Sequence, residues 1–234
     1  DDDRMGESVS LILRHLDNSI LDMEEHLVTM LSKRDQWLRH VSTDGDEEGL
    51  RNFLEESIKR LIEDVLLKLK NAFPSLQAKN FIKLARFAAS KLLVEGKENR
   101  ITNLEDLNKI PSAKVNDLEI WKSIADLLLT ANDIWRKPKG INKSIGFPVE
   151  TTEEKKRKKE FQELLESLLG NNKLLEELLN VRKLPNPQYD DEDWIVLRAL
   201  LHLLPIAEKH LMQVFSEKGL VDFQCVARAA LKSL

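Results

Sequence analysis

Apolar residues recur at three- and four-residue steps over most of this chain, which places them on one face of a helix. The first such series predicts a single long helix that begins at Ser8, a favourable N-cap residue, and ends near His40. The apolar face of this helix comprises Val9, Leu13, Leu16, Ile20, Met23, Leu27, Met30 and Leu31. At 1.5 Å per residue the helix would be about 45–50 Å long, so we expect a long helical strut at the N-terminus.

The rest of the chain repeats the helical pattern with few interruptions. Only 8 glycines and 7 prolines occur among 234 residues, which disfavours the many turns of a sheet protein. We therefore predict an all-α fold, an irregular multi-helix array with a long N-terminal helix and no sheet. Later helices are predicted through the apolar residues Phe53 to Leu69, then Phe81 to Leu92, then Leu118 to Leu128. Further helices are predicted over Glu153–Leu169, Lys173–Arg182 and Asp191–Leu204. Pro205 is expected to start or kink the next helix, which ends at the Lys218-Gly219 step, and the last helix, 221–234, begins near Asp222.

Particular residues mark the expected helix ends. Two pairs have the spacing of a capping box, Thr102 with Glu105 and Thr151 with Glu154. The other residues expected to stop, cap, start or kink a helix are Pro74, Ser75, Pro205 and Gly219.

The sequence carries no recognisable signature of a catalytic or metal site. A phosphate loop needs an upstream glycine and a Ser or Thr after its lysine, and the single Gly-Lys pair, Gly96-Lys97, has neither. The five histidines lack metal-binding spacing, and Cys225, the only cysteine, is expected to be a packed thiol. No stretch approaches about 20 apolar residues, so we expect no membrane span and a cytoplasmic location. We accordingly expect no catalytic residue, metal or cofactor in this chain.

The net charge of −4 conceals a segregation of charged residues. Residues 1–3 and 44–48 are rich in acid, whereas residues 155–159 read Lys-Lys-Arg-Lys-Lys. Five successive residues point all around a helix, so this basic run is expected to be a solvated first turn. An acidic total does not exclude a nucleic-acid partner, because a local cationic surface decides such binding.

The segment from Ile134 to Val149 contains no acidic residue and is expected to include an ordered loop over residues 137–149. Its cations would neutralise phosphates, and its aromatic rings would stack on a base or brace the loop. The cations are Arg136, Lys137, Lys139 and Lys143, and the aromatic residues are Trp135 and Phe147. The alternative is that both rings anchor the loop to the core while the lysines are merely solvated.

Three short sequence stretches, which follow one another in order, are spread over nearly the whole length of the chain. The first is Leu16-Asp17-Asn18 followed by Met30–Leu38, which reads MLSKRDQWL. The second is Leu128-Leu129-Thr130 with Trp135-Arg136-Lys137, Lys143 and Gly146-Phe147-Pro148. The third is Phe215 followed by Gly219–Phe223, which reads GLVDF. Together they resemble superfamily 1 DNA helicases of the UvrD/RecB type, particularly the exonuclease V beta-subunit-like branch.

The resemblance implies that residues 1–234 form a single helical insertion domain between the phosphate-loop motif and the Asp-Glu motif of a helicase. The last helix, 221–234, would lead back toward the RecA-like core. The parent would be an ATP-dependent DNA helicase or exonuclease of DNA recombination or repair, with ATP and Mg bound outside this fragment. A chain that opens without methionine and stops within a helical pattern agrees with this expectation.

The partners implied by the resemblance are DNA and the remaining helicase domains of the same polypeptide, without a membrane. The DNA-binding residues would be Trp135, Arg136, Lys137, Lys139 and Lys143. Two positions depart from the family pattern: Ala131, where lysine is common, and Gln224-Cys225, where small hydroxyl or acidic residues are usual. An all-helical adaptor that docks a partner helix in an apolar groove is the alternative function.

Overall fold

The structure, a computed structural model, describes residues 2–37, 47–223 and 226. These residues form α-helices and short 3₁₀ turns without a strand, which confirms the all-α prediction. The α-helices are α1 (Asp2–His15), α2 (Ile20–Ser32), α3 (Arg34–Trp37), α4 (Glu47–Ala72), α5 (Ser75–Val94), α6 (Leu118–Leu128), α7 (Thr152–Leu168), α8 (Asn172–Arg182) and α9 (Asp191–Lys218).

The chain divides into two compact units. The terminal unit combines Asp1–Phe53 with Gln188–Leu234, and the central unit is Leu54–Pro187. Helix α4 begins in the terminal unit and continues into the central one. The expectation that both units belong to one helicase insertion stays a prediction.

The single long N-terminal helix is a wrong prediction, because three helices occupy its described part. Asp17 and Asn18 have φ values of +50° and +62°, in the left-handed region that Asp and Asn enter most easily among residues with a side chain. Ser19 then caps α2 by accepting a hydrogen bond from the Asp22 backbone N–H. The apolar spacing continues across this break, which is why periodicity alone did not reveal it. The predicted end at His40 lies outside the described residues.

The terminal unit is held together by α1 and α2 packed against α9. Its small core contains Ile12, Ala199 and Leu203. Ser8, which was predicted as an N-cap, lies inside α1, where its Oγ is 3.2 Å from Nδ1 of His202 on α9. Burial, and next the positive charge of Arg4, lower the pKa of His202.

Helix α9 is longer than the sequence predicted. It continues through Pro205, so that residue does not start a helix. Asp190 caps its N-terminus by accepting from the Asp193 N–H, and Gly219, with φ of +61°, ends it as predicted.

Asp222 forms an ion pair with Arg34, whose side chain is almost fully buried. The distance from Nη2 of Arg34 to Oδ1 of Asp222 is 2.6 Å. The sequence predicted that a last helix, 221–234, begins near Asp222, and most of that helix lies outside the described residues.

The central unit has the larger core, which the apolar faces of α4 to α8 and the segments between them form. Its largest fully buried side chains include Trp121, Phe81, Phe147 and Phe161. Helices α5 and α7 pack together and run antiparallel, since Lys83 pairs with Glu160 while Lys91 pairs with Glu154.

The structure confirms one of the two predicted capping boxes. Thr151 and Glu154 exchange side chain to backbone bonds at the start of α7. Thr102 and Glu105 form no box, because Asn99 caps a 3₁₀ turn over Arg100–Leu104 instead. Pro74, and not Ser75, holds the N-cap position of α5.

Candidate nucleic-acid interface

The acid-free segment 134–149 begins in a tight turn at the end of α6. Leu129 and Trp135 form an isolated β-bridge, and the Thr130 N–H donates to the Ile134 carbonyl across the turn. Asp133 has φ of +59°, which lets the chain reverse within a few residues. The basic loop, residues 137–149, therefore starts from a turn whose backbone is held in place.

Arg136 caps the C-terminus of α6. Its Nε donates to the Leu127 carbonyl at 3.1 Å and its Nη2 to the Asp126 carbonyl at 2.9 Å. Burial, and next the nearby charge of Arg182, lower the pKa of Arg136. Two of its donors are therefore used within the protein, which gives Arg136 a structural role that the sequence did not predict.

Arg182 of α8 ties the same turn down, and the sequence analysis missed it. Its guanidinium contacts Oδ1 of Asp126 at 2.7 Å and Oδ1 of Asp133 at 2.8 Å, and donates to the Thr130 carbonyl at 2.7 Å. These partners lie 49 to 56 residues earlier in the chain, so no local spacing could have indicated the cluster.

The two aromatic residues of the segment face inward. Trp135 is 8% exposed and Phe147 is fully buried. The Phe147 ring stacks on Phe161 of α7 with centroids 4.4 Å apart, and it also contacts Phe87 of α5. Both rings are positioned to brace the loop, and the buried Trp135 ring has no face open for stacking on a base.

Gly146 brings the loop into direct contact with α5. Its φ is +88°, and a Cβ built there would collide with the backbone oxygen of Ala88. Only glycine fits both conditions. Just before it, Asn142 caps a 3₁₀ turn over Lys143–Ile145 by accepting from the Ser144 N–H. This capped turn holds the backbone of Lys143 in place.

Lys137, Lys139 and Lys143 are exposed on this braced loop. Gln162 of α7 donates to the Pro138 carbonyl at 2.7 Å, which holds the 3₁₀ turn Pro138–Gly140 that follows Lys137 and contains Lys139. Glu95 is an acidic neighbour of Lys143, and its pKa is lowered chiefly by Lys97 and to a smaller extent by Lys143.

Helix α7 adds two cations on the side that faces the loop. Lys155 lies two turns before Gln162 and Lys158 one turn before it, so both share its side of the helix. The rest of the basic run points elsewhere: Arg157 pairs with Glu153 and Glu160, and Lys159 lies 3.8 Å from Glu163. Lys155, Lys156 and Lys159 are exposed, as expected of a solvated turn, whereas the two ion pairs of Arg157 hold its side chain against α7.

The two units have opposite net charge. The central unit contains 25 Lys and Arg against 20 Asp and Glu, a balance of +5. The remaining 11 basic and 20 acidic residues give the terminal unit a net charge of −9, and the two net charges add to the total of −4. The exposed lysines thus belong to the unit whose net charge favours a polyanion.

No group of His, Cys, Asp and Glu among the described residues could hold a metal ion. Within the same residues, no helix is both long and apolar enough to cross a bilayer. Cys225, the expected packed thiol, lies outside the described part of the chain.

Comparison of the chain with family models, with curated proteins and with solved structures finds no match.

Proposed function

We propose that this chain is a DNA-binding accessory helical domain of an ATP-dependent DNA helicase or exonuclease that acts in recombination or repair. The parent protein would supply the ATP and Mg site, and the other helicase domains would be its intramolecular partners. One observation carries the proposal. Three exposed lysines, Lys137, Lys139 and Lys143, lie on an acid-free loop that Gln162, Gly146 and Phe147 hold in place.

The geometry favours phosphate binding because the loop is ordered before the ligand arrives. Each lysine that neutralises a phosphate releases condensed counterions, and that release drives association at low salt. Little conformational entropy remains to be lost by the loop backbone, since buried rings and hydrogen bonds already restrain it. Trp135 and Arg136 contribute by maintaining this arrangement, and the three lysines make the contacts.

The test is fluorescence anisotropy of labelled duplex, forked and single-stranded DNA at several salt concentrations. The triple variant Lys137→Gln, Lys139→Gln, Lys143→Gln should bind about 10-fold or more weakly at low salt, with a salt slope smaller by about 2 to 3. The matched control replaces Lys68, Lys70 and Lys173 by glutamine, which removes the same charge from exposed positions elsewhere in the central unit. Equal affinity of the two triple variants would remove the loop from the proposed interface.

An adaptor function is the second candidate, and helix α2 favours it. No residue of α2 is buried, although Ile20, Leu21 and Val28 are 68%, 77% and 60% exposed. Such a face is suited to a partner helix, and its association would be insensitive to salt. A Leu21→Glu, Val28→Glu variant would abolish that association and leave DNA affinity unchanged, which separates the two functions in one set of binding measurements.

A further inference from the structure

Helix α5 is a second acid-free basic segment of the central unit. Over Ser75–Val94 it contains four lysine or arginine residues and no Asp or Glu. Lys79, Lys83 and Arg86 follow one another at steps of four and three, so they share one face of the helix. At 1.5 Å per residue this row is about 10 Å long.

The row borders a groove between α5 and α7, with a volume of about 540 Å³. Ile82 and Phe87, both half-buried, form an apolar floor, and Arg157 lines the groove from α7. Glu105 also lines the groove, so four cations face one carboxylate there. A low-polarity floor strengthens the attraction between nearby cations and a bound anion, because it lowers the local dielectric constant.

The positive charge of the groove lies mainly on α5. Arg157 is paired with both Glu153 and Glu160, whereas the nearest carboxylate to Lys83 is that of Glu160 at 3.7 Å. Nε of Arg86 donates to the Glu105 backbone carbonyl at 3.0 Å. Lys79 has no ion pair with any residue that the structure describes.

We propose that this groove binds the phosphodiester backbone of one nucleic-acid strand, an inference that rests on the proposed function. The row presents three cations in line, and each can neutralise a phosphate of a strand that lies along it. A single extended anionic chain can enter this groove, whereas a flat bilayer surface cannot reach its floor. The apolar floor would contact the sugars between the phosphates.

The groove and the basic loop are separate sites on the two flanks of α7. Gln162, which holds the loop, and Arg157, which lines the groove, point about 140° apart around this helix. Charge can therefore be removed from one site without touching the other.

The experiment measures anisotropy of labelled single-stranded and duplex DNA with the full chain carrying Lys79→Gln and Lys83→Gln. The double control Lys68→Gln, Lys70→Gln removes equal charge from exposed positions of α4. The groove variant should bind about 10-fold more weakly at low salt, with a salt slope smaller by about 1.5, while the control changes affinity less than about 2-fold. Circular dichroism and thermal unfolding verify that both variants fold like the original chain.

The outcomes separate this inference from the proposed loop site. Equal binding by groove and control variants, together with weak binding by the loop variant, overturns the groove alone. Weak binding by the groove variant with an unchanged loop variant supports the groove and overturns the loop assignment. Failure of the unsubstituted chain to bind either DNA overturns both. A larger loss on single-stranded than on duplex DNA identifies the strand form that the groove accepts.

Lysine acetylation with mass spectrometry provides a second readout that needs no variant. Bound DNA should reduce the reactivity of Lys79 and Lys83 by about 5-fold or more, since phosphates would cover both ammonium groups. Lys68 and Lys70 should keep their reactivity. Unchanged reactivity at Lys79 and Lys83 under saturating DNA contradicts the proposal.

Discussion

At Gly146 a left-handed backbone coincides with a close approach to α5, so this residue controls where the basic loop lies. We expect Gly146→Ala to lower the free energy of unfolding by about 2–4 kcal/mol, because a Cβ would strain the positive φ and displace the Ala88 backbone. Gly140→Ala is the matched control, since a Cβ there meets no atom within 4 Å. Urea unfolding measures both, and similar midpoints for the two variants would contradict the argument.

Glu154 makes a contribution to stability that depends on pH. The hydrogen bond from Lys91, and next that from the Thr151 backbone, lower its pKa from 4.5 to about 2. A carboxyl whose pKa is lower in the folded state stabilises the protein fully above 4.5 and loses that contribution as the pH falls toward 2. Glu154→Gln should therefore destabilise the protein at pH 7, by an amount that shrinks between pH 4.5 and 3.

Urea unfolding at pH 7, 4.5 and 3 measures the difference in unfolding free energy between the original chain and Glu154→Gln, which should narrow as the pH falls. Glu153→Gln is the control, because it removes a neighbouring carboxylate that pairs with Arg157 at the exposed side of α7. A constant difference between Glu154→Gln and the original chain at all three pH values would show that Glu154 acts through its shape alone.

Among the helices, those with a strong apolar face and a clear cap were predictable from the sequence. Helices α7 and α8 begin and end within one residue of their predicted bounds, and the Thr151–Glu154 capping box is present. The break at Asp17-Asn18 was not predictable from periodicity, because left-handed φ values interrupt the backbone without disturbing the apolar spacing. Ser19, a residue type that favours the N-cap position, was the feature of the sequence that could have indicated the start of a new helix there.

The site was predictable only as a set of candidate residues. An acid-free run identified the exposed lysines, but the buried position of Trp135 and the two carbonyl bonds of Arg136 depend on the fold of residues distant in the chain. The Lys79–Arg86 row was equally visible in the sequence. It was missed because the lysines of α5 fit the ordinary polar face of an amphipathic helix.

Arg182 connects α8 to the turn at the end of α6, so its effect belongs to the packing of elements. Arg182→Met should lower the free energy of unfolding by about 2–3 kcal/mol, because Asp126, Asp133 and the Thr130 carbonyl all lose a charged donor. Arg100→Met is the control, since Arg100 also contacts Asp126, but at 3.5 Å and from a side chain 44% exposed. It should cost less than about 1 kcal/mol.

Thermal or urea unfolding of these two arginine variants distinguishes the roles. Arg182→Met should also weaken DNA binding, because the turn that leads into the basic loop would lose its anchor. Equal stability of the Arg182 and Arg100 variants would show that the turn is held by its backbone bonds alone.

For the whole molecule, the opposite charges of the two units matter more than the total of −4. The terminal unit is assembled from both ends of the chain. Its net charge of −9 and the net charge of +5 on the central unit could therefore be counted only once the unit boundaries were known. A polyanion is attracted to one unit and repelled by the other, and both forces weaken with salt.

This charge division predicts where DNA will crosslink to the full chain. Photo-crosslinking to labelled DNA, followed by proteolysis and mass spectrometry, should place the crosslinked peptides between residues 54 and 187, above all around Lys137–Lys143 and Lys79–Arg86. Because screening shortens the range of these charges to about 8 Å at physiological ionic strength, the pattern should persist there with lower yield. Crosslinks concentrated in the acidic terminal unit would mean that contacts other than phosphate neutralisation determine binding. In that case neither the loop nor the α5 groove would be the DNA interface.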